Sequence, residues 1–66
     1  METLTTYIQN CYDLASKYPD TAMVKCDQAF GALSYHYTAN PRDFDACEKL
    51  WNEMRPKFYE IMMRGL

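Results

Sequence analysis

Three cysteines and one histidine are the residues of this chain best suited to metal or nucleophilic chemistry: Cys11, Cys26, Cys47 and His36. Together they form the donor set of a Cys3His zinc site, but no two of them have the short ligand spacing typical of structural zinc sites. His36 also falls off the helical stripe that contains the cysteines. We therefore expect buried thiols that fill small gaps in a core, with no metal and no cofactor.

Catalysis finds little support in the same residues. His36 has no carboxylate partner that the sequence identifies, and apolar surroundings raise the pKa of a thiol instead of activating it. Gly31 and Gly65 are the only glycines, so there is no Gly-rich phosphate loop. A chain this short also lacks room for a ligand pocket of several hundred Å³. We expect a protein that is not an enzyme and has no small-molecule substrate.

The elements that would position these residues are three segments with apolar residues at helical spacing. The stripes are Leu4, Ile8, Cys11, Ala15 and Tyr18, then Met23, Cys26, Phe30, Leu33 and Tyr37, then Phe44, Cys47, Trp51, Met54, Phe58 and Ile61. The short connections favour antiparallel neighbours. The sequence predicts an all-α, antiparallel three-helix bundle (up-down-up). It forms one domain over 1–66, with helices at about 3–18, 20–38 and 41–64.

Turn and cap residues mark the expected helix ends. Asp20 or Thr21 is a suitable N-cap for the second helix, and Asn40 followed by a proline suits the start of the third. Arg64 and Gly65 are typical of a helix C-terminus. These signals set the predicted boundaries.

Pro56 lies inside the third predicted helix and raises the question of a break. The stripe keeps its phase across it, from Trp51 to Phe58 and Ile61. An interior proline costs about 3 kcal/mol, which burial of two large side chains at about 1.5–3 kcal/mol each can offset. We predict one continuous helix, kinked at Pro56.

Composition limits the cellular location and the kinds of partner that we expect. The 66 residues are 48% hydrophobic with a formal net charge of −2, which disfavours general binding to nucleic acid. The first residues lack a basic opening and no long apolar run follows, so we expect no secretory signal and no membrane span. An odd number of cysteines without tight spacing favours a reducing compartment. We predict a cytoplasmic location.

Two surfaces are candidates for contact with another protein. Between Asp27 and Arg42 the sequence contains no Asp, Glu, Lys or Arg, and the outward residues of this helix are predicted to bind a partner: Gln28, Gly31, Ala32, Tyr35 and His36. At the C-terminus the predicted contact residues are Tyr59, Met62 and Met63. The alternatives are a neutral but solvated helix face and a C-terminal cap over the end of the bundle near Tyr18 and Pro19.

We therefore expect a small interaction module that acts by binding a larger protein, as an accessory factor or inhibitor, or by forming a homodimer. The alternative function is a nucleic-acid-binding domain of the helix-turn-helix kind. It would use a basic stripe on the third helix, formed by Arg42, Lys49, Lys57 and Arg64. Glu53 and Glu60 lie on the same stripe, so we expect a solvated face of mixed sign there instead.

Overall fold

A computed structural model describes residues 2–64 as three α-helices in an up-down-up bundle. The helices are α1 (Glu2–Lys17), α2 (Ala22–Ala39) and α3 (Phe44–Arg64). The bundle measures 37 × 17 × 15 Å, an elongated shape that follows from a rise of about 1.5 Å per residue along helices of this length. The predicted all-α three-helix architecture is confirmed.

The two connections are short 3-10 turns, Pro19–Thr21 and Pro41–Asp43, each beginning with proline. The residue before each proline has extended backbone, with φ −126° at Tyr18 and −133° at Asn40, because a following proline disfavours the α region. The predicted helix starts at 20 and 41 therefore fall in 3-10 turns, and the α-helices begin at Ala22 and Phe44.

The predicted side-chain N-caps are wrong. No side-chain hydrogen bond caps α2 at Thr21 or the 3-10 turn that precedes α3 at Asn40. The Thr21 hydroxyl donates backward to the Tyr18 carbonyl at 2.7 Å, and the Asn40 amide donates to the His36 carbonyl at 3.0 Å. Asn40 thus closes α2. Backbone hydrogen bonds of the 3-10 turns, from the Thr21 N–H to the Tyr18 carbonyl and from the Asp43 N–H to the Asn40 carbonyl, satisfy N–H groups ahead of the helices in place of side-chain caps. Gly65, the predicted C-terminal signal, lies outside the described residues.

Pro56 does not interrupt α3, so the predicted continuous helix is confirmed. Beyond the proline, Phe58 and Ile61 are buried, with 0% and 2% of their surface exposed. Their burial offsets the backbone hydrogen bond that proline cannot donate. The bend at Pro56 remains a prediction.

The core confirms most of the predicted stripes on α1 and α3 and corrects the stripe on α2. The buried residues are Ile8, Cys11, Ala15, Ala22, Cys26, Ala29, Leu33, Cys47, Met54, Phe58 and Ile61. On α2, Ala22 and Ala29 face the core, whereas Met23 and Phe30 are 66% and 49% exposed. Small side chains allow α2 to approach both neighbours closely, so the bulky ones are displaced to the rim.

The ends of two predicted stripes also lie outside the core. Tyr18 and Phe44 are about half exposed. Tyr18 follows the last residue of α1 and Phe44 is the first residue of α3. Each therefore lies at an end of the bundle, where the helices do not enclose it completely. The predicted stripes therefore extend beyond the core at these two ends.

Candidate contact surfaces

An open groove of about 440 Å³ runs between the start of α1 and the end of α2. Its walls are Thr3, Leu4 and Tyr7 from α1 and Ala32, Tyr35 and His36 from α2. The groove is an open depression of the surface and not an enclosed cavity, so the expectation that the chain lacks room for a small-molecule pocket of several hundred Å³ stays a prediction. The groove brings together three of the predicted contact residues: Ala32, Tyr35 and His36.

The groove belongs to a longer surface, which we name the α1/α2 face. Each of the two helices has a second stripe of residues at alternating spacings of three and four, the periodicity of one helix face. The face consists of Thr3, Tyr7, Asn10 and Leu14 on α1 and Val24, Gln28, Gly31 and Tyr35 on α2, all exposed. The predicted residues Gln28, Gly31 and Tyr35 thus lie on one stripe, and α1 adds a matching stripe beside it.

The α1/α2 face contains no charged residue. The nearest charge on α2 is Lys25, whose ammonium donates to the Gln28 side-chain oxygen at 3.2 Å. Tyr35 is 80% exposed, and Tyr7, Leu14 and Val24 are about half exposed. A neutral surface with exposed aromatic and aliphatic side chains has the composition of a protein interface core.

Tyr7 connects the face to the core. Electrostatic interaction with Cys11, one turn along α1, raises the pKa of the Tyr7 hydroxyl, and desolvation and a hydrogen bond to Cys11 add to the effect. A tyrosine hydroxyl is already neutral at physiological pH, so the shift leaves its charge there unchanged.

Gly31 lies in the middle of the α2 stripe with open space above it. A Cβ placed on this residue would meet nothing within 4 Å, and no glycine among the described residues has a positive φ. Neither the backbone conformation nor a contact within the chain requires glycine here. Its absence of a side chain leaves a flat place where a second backbone can approach.

His36 has a partner that sequence analysis missed. Its Nε2 atom lies 2.7 Å from Oδ2 of Asp43, seven residues later, and the two side chains are 24% and 37% exposed. The interaction ties the end of α2 to the 3-10 turn that precedes α3. The sequence did not identify this partner, because it is the turn that folds Asp43 back toward the last turn of α2.

The C-terminal contact residues occupy the opposite end of the bundle. The end of α3 lies beside the first turn, where Ser16, Pro19, Ile61 and Arg64 line a small groove. Met62 packs against the core, Tyr59 is half exposed and Met63 is 72% exposed. The structure therefore does not join these residues to Tyr35, which lies near the second turn.

Aromatic residues on the other flank of α2 form a second surface, which we name the α2/α3 groove. Phe30 packs against Trp51 with ring centroids 5.3 Å apart, and Tyr37 packs edge-to-face against Phe44 at 5.2 Å. All four residues belong to the predicted apolar stripes. They form the partly exposed walls of a groove of about 150 Å³, whose other lining residues are Leu33, Cys47 and Glu48.

The three cysteines are buried, and none of them forms a disulfide. Burial raises the pKa of the Cys26 thiol, with a further increase from the neighbouring Asp27 carboxylate. Burial likewise raises the pKa of Cys47, and the charge of Asp43 adds to it. Raised thiol pKa values at these two positions confirm the expectation from their apolar surroundings. Within residues 2–64, no cluster of three Cys, His, Asp or Glu residues is arranged to hold a metal ion.

Neither membrane-spanning character in the described helices nor a likeness to known proteins is found. Among the described residues, none of the helices combines the length and the apolar character that a membrane crossing requires. Comparison with models of protein families, with curated proteins and with solved structures finds no match to this chain.

Proposed function

We propose that this protein is a non-enzymatic interaction module that binds another protein through its α1/α2 face. The observation that carries the proposal is the pair of exposed, uncharged stripes on two adjacent helices, with Tyr7 and Tyr35 on either side of an open groove. By binding a larger protein in this way it would act as an accessory factor or inhibitor, and by binding a second copy of itself it would form a homodimer.

The physical basis is the low cost of removing this face from water. Burial of apolar surface contributes about 25 cal/mol per Å², and a neutral face has no charge to desolvate. Tyr35 and Tyr7 each combine a large apolar ring with one hydroxyl, so they can bury area and still satisfy a hydrogen bond at a wet rim. Gln28 and Asn10 supply further hydrogen-bonding groups on the same face.

Nucleic-acid binding has less support. Of the four basic residues in the predicted stripe, Arg42 lies in the 3-10 turn before α3, and two others already have neighbours within the chain. Arg64 lies 3.6 Å from Glu60, and the Lys57 ammonium lies over the Tyr12 ring at 5.8 Å from its centroid. A phosphate track requires cations that are not neutralised by interleaved carboxylates.

Affinity capture from the native cell extract, followed by mass spectrometry, tests the proposal with Tyr35→Glu. The new carboxylate places an uncompensated charge on the α1/α2 face, so proteins that bind there should be lost. Tyr59→Glu is the comparison, because Tyr59 is also an exposed tyrosine (49%, against 80% for Tyr35) but belongs to the separately predicted C-terminal surface at the other end of the bundle. Proteins that bind the α1/α2 face should be retained by this variant. Circular dichroism of both variants checks that the helices are intact. Identical sets of captured proteins for Tyr35→Glu and the unmodified chain would contradict the proposal.

A further inference from the structure

We infer that the partner of the α1/α2 face is a second copy of this chain, bound about a twofold axis. The inference rests on the proposed function and names the partner for the same surface. In the dimer, α1 and α2 of one copy would pack against α1 and α2 of the other. The four helices would enclose a second core, with each α3 outside it.

Charge is the first argument for self-association. Each chain has a formal net charge of −2, so an interface that brought acidic residues of the two copies together would be penalised. The α1/α2 face avoids this, because its residues carry no formal charge. The nearby Lys25, whose ammonium donates to Gln28, stays charged and would have to remain solvated at the rim of the interface. A twofold interface places the same patch on both sides, and a neutral patch is compatible with itself where a charged one is not.

The spacing of the exposed residues is the second argument. The α1/α2 face repeats the alternation of three and four residues that also positions the buried stripes, such as Ile8, Cys11 and Ala15. Helices with two such stripes pack against neighbours on both sides. On α2 the outer stripe has Val24 and Tyr35 toward its ends and Gly31 between them. Large side chains can therefore interlock around a point of close backbone approach.

The available area limits how tightly such a dimer can bind. A face bounded by the two longer dimensions of the molecule, 37 and 17 Å, offers at most about 630 Å² in projection from each copy. Two such faces give at most about 1,260 Å², so the interface lies at or below the lower end of the roughly 1,200–2,000 Å² that specific interfaces bury. We therefore expect a weak dimer, with a dissociation constant in the micromolar range and not below it.

Sedimentation velocity over about 1 to 300 µM protein, a range that brackets the expected dissociation constant, tests the inference. The mass should rise with concentration from one 7.8 kDa chain toward two. Tyr35→Glu on α2 and Tyr7→Glu on α1 should each raise the dissociation constant at least about tenfold. Tyr59→Glu should leave it unchanged. Testing one residue on each helix keeps the result interpretable if one variant loses helical structure.

The outcomes distinguish failure of the dimer from failure of the interaction module. A mass of one chain at every concentration overturns the dimer, while Tyr35-dependent capture of a different protein would still support the interaction module. A dimer that is unaffected by both Glu substitutions in folded protein overturns the assignment of the face. Loss of the dimer in both variants, but not in Tyr59→Glu, supports the inference.

Discussion

The two flanks of α2 carry aromatic residues with opposite surroundings. Toward α3, Phe30 and Tyr37 find the rings of Trp51 and Phe44 at 5.3 and 5.2 Å. Toward α1, Tyr35 is 80% exposed beside an open groove. Both flanks of α2 are hydrophobic, so hydrophobicity does not explain why one is covered and the other exposed. The difference lies in the side chains of the neighbouring helix.

The side chains that each neighbouring helix presents explain the contrast. The small residues Ala22 and Ala29 are buried and allow close approach on both flanks of α2, but the α1 residues beside Tyr35 leave the groove open. α3 presents Phe44 and Trp51 at the rim instead. The α3 flank therefore contributes to the stability of the single chain, whereas the α1 flank keeps apolar area available for a partner. Substitutions on the two flanks should have different effects.

The largest expected effect comes from Phe58→Ala at the base of the α3 flank. Phe58 has 0% exposure and contacts the rings of Tyr12 and Trp51. Removing a buried Phe side chain costs about 3–5 kcal/mol, while a chain of this length has a free energy of unfolding of only about 3–10 kcal/mol. Thermal unfolding followed by circular dichroism should show a mostly unfolded or strongly destabilised protein.

Tyr59→Ala is the control for Phe58→Ala, because it truncates the next, half-exposed aromatic residue of the same helix. Its unfolding free energy should change by less than about 1 kcal/mol. If Phe58→Ala also unfolds within about 1 kcal/mol of the unmodified chain, the ring cluster is not the support of the α3 flank.

A direct comparison of the flanks uses Phe30→Ala and Tyr35→Ala on the same helix. Phe30→Ala removes the contact with Trp51 and should lower the free energy of unfolding by about 1–2 kcal/mol. Tyr35→Ala should change it by less than about 0.5 kcal/mol in dilute solution. Urea titrations give both values. Emission from Trp51, the only tryptophan, should shift to the red in Phe30→Ala alone, and equal costs at the two positions would remove the distinction.

Much of the fold could be predicted because α1 and α3 each have one dominant apolar stripe. Ile8, Cys11 and Ala15 were placed correctly, as were Met54 and Phe58 across Pro56. α2 is apolar on several sides, so the stripe through Met23 and Phe30 and the stripe through Ala22 and Ala29 both fit helical spacing. The larger side chains of Met23 and Phe30 make the first stripe look like the core when only the sequence is known. Close packing of the helices favours the small residues of the second stripe, and how closely two helices pack cannot be seen in the sequence of one of them.

The candidate site was predictable in part for the same reason. The absence of charge identified Gln28, Gly31 and Tyr35 as one face. The contribution of Tyr7 was not predictable, because no local signal tells which flank of α2 meets α1. The His36–Asp43 contact depends on the path of the 3-10 turn, which the proline alone does not define.

Gly31→Ala separates the stability of the single chain from self-association. The helical backbone accepts alanine, and its methyl group would enter open space, so the free energy of unfolding should rise by about 0.5–1 kcal/mol. The same methyl group would stand where the second copy approaches, so the dimer should weaken. Urea titration in dilute solution and sedimentation at high concentration measure the two effects. A variant that gains stability and dimerises as well as the unmodified chain would show that Gly31 is not at the close contact.

The smallest expected effect is a loss of stability at alkaline pH from the buried thiols. The pKa values of Cys26 and Cys47 are raised in the folded protein, so above a pH of about 8.5, the ordinary thiol pKa, the unfolded chain binds fewer protons than the folded chain. The pH derivative of the unfolding free energy has the sign of that difference. Stability should therefore be full below this pH and fall as pH rises through it toward the folded-state pKa values.

Cys26→Ala should make this alkaline decline shallower, whatever it does to stability at neutral pH, because one of the two thiols with a raised pKa is gone. Urea titrations between about pH 8 and pH 10 measure the slope, in a window that lies largely below the raised pKa of Tyr7 on the open flank. Gly31→Ala, which leaves both thiols in place, should keep the slope of the unmodified chain. An identical slope in Cys26→Ala would mean that this thiol is as solvated in the folded protein as in the unfolded chain. Cys26 would then lie outside the closely packed core that holds α2 between its neighbours.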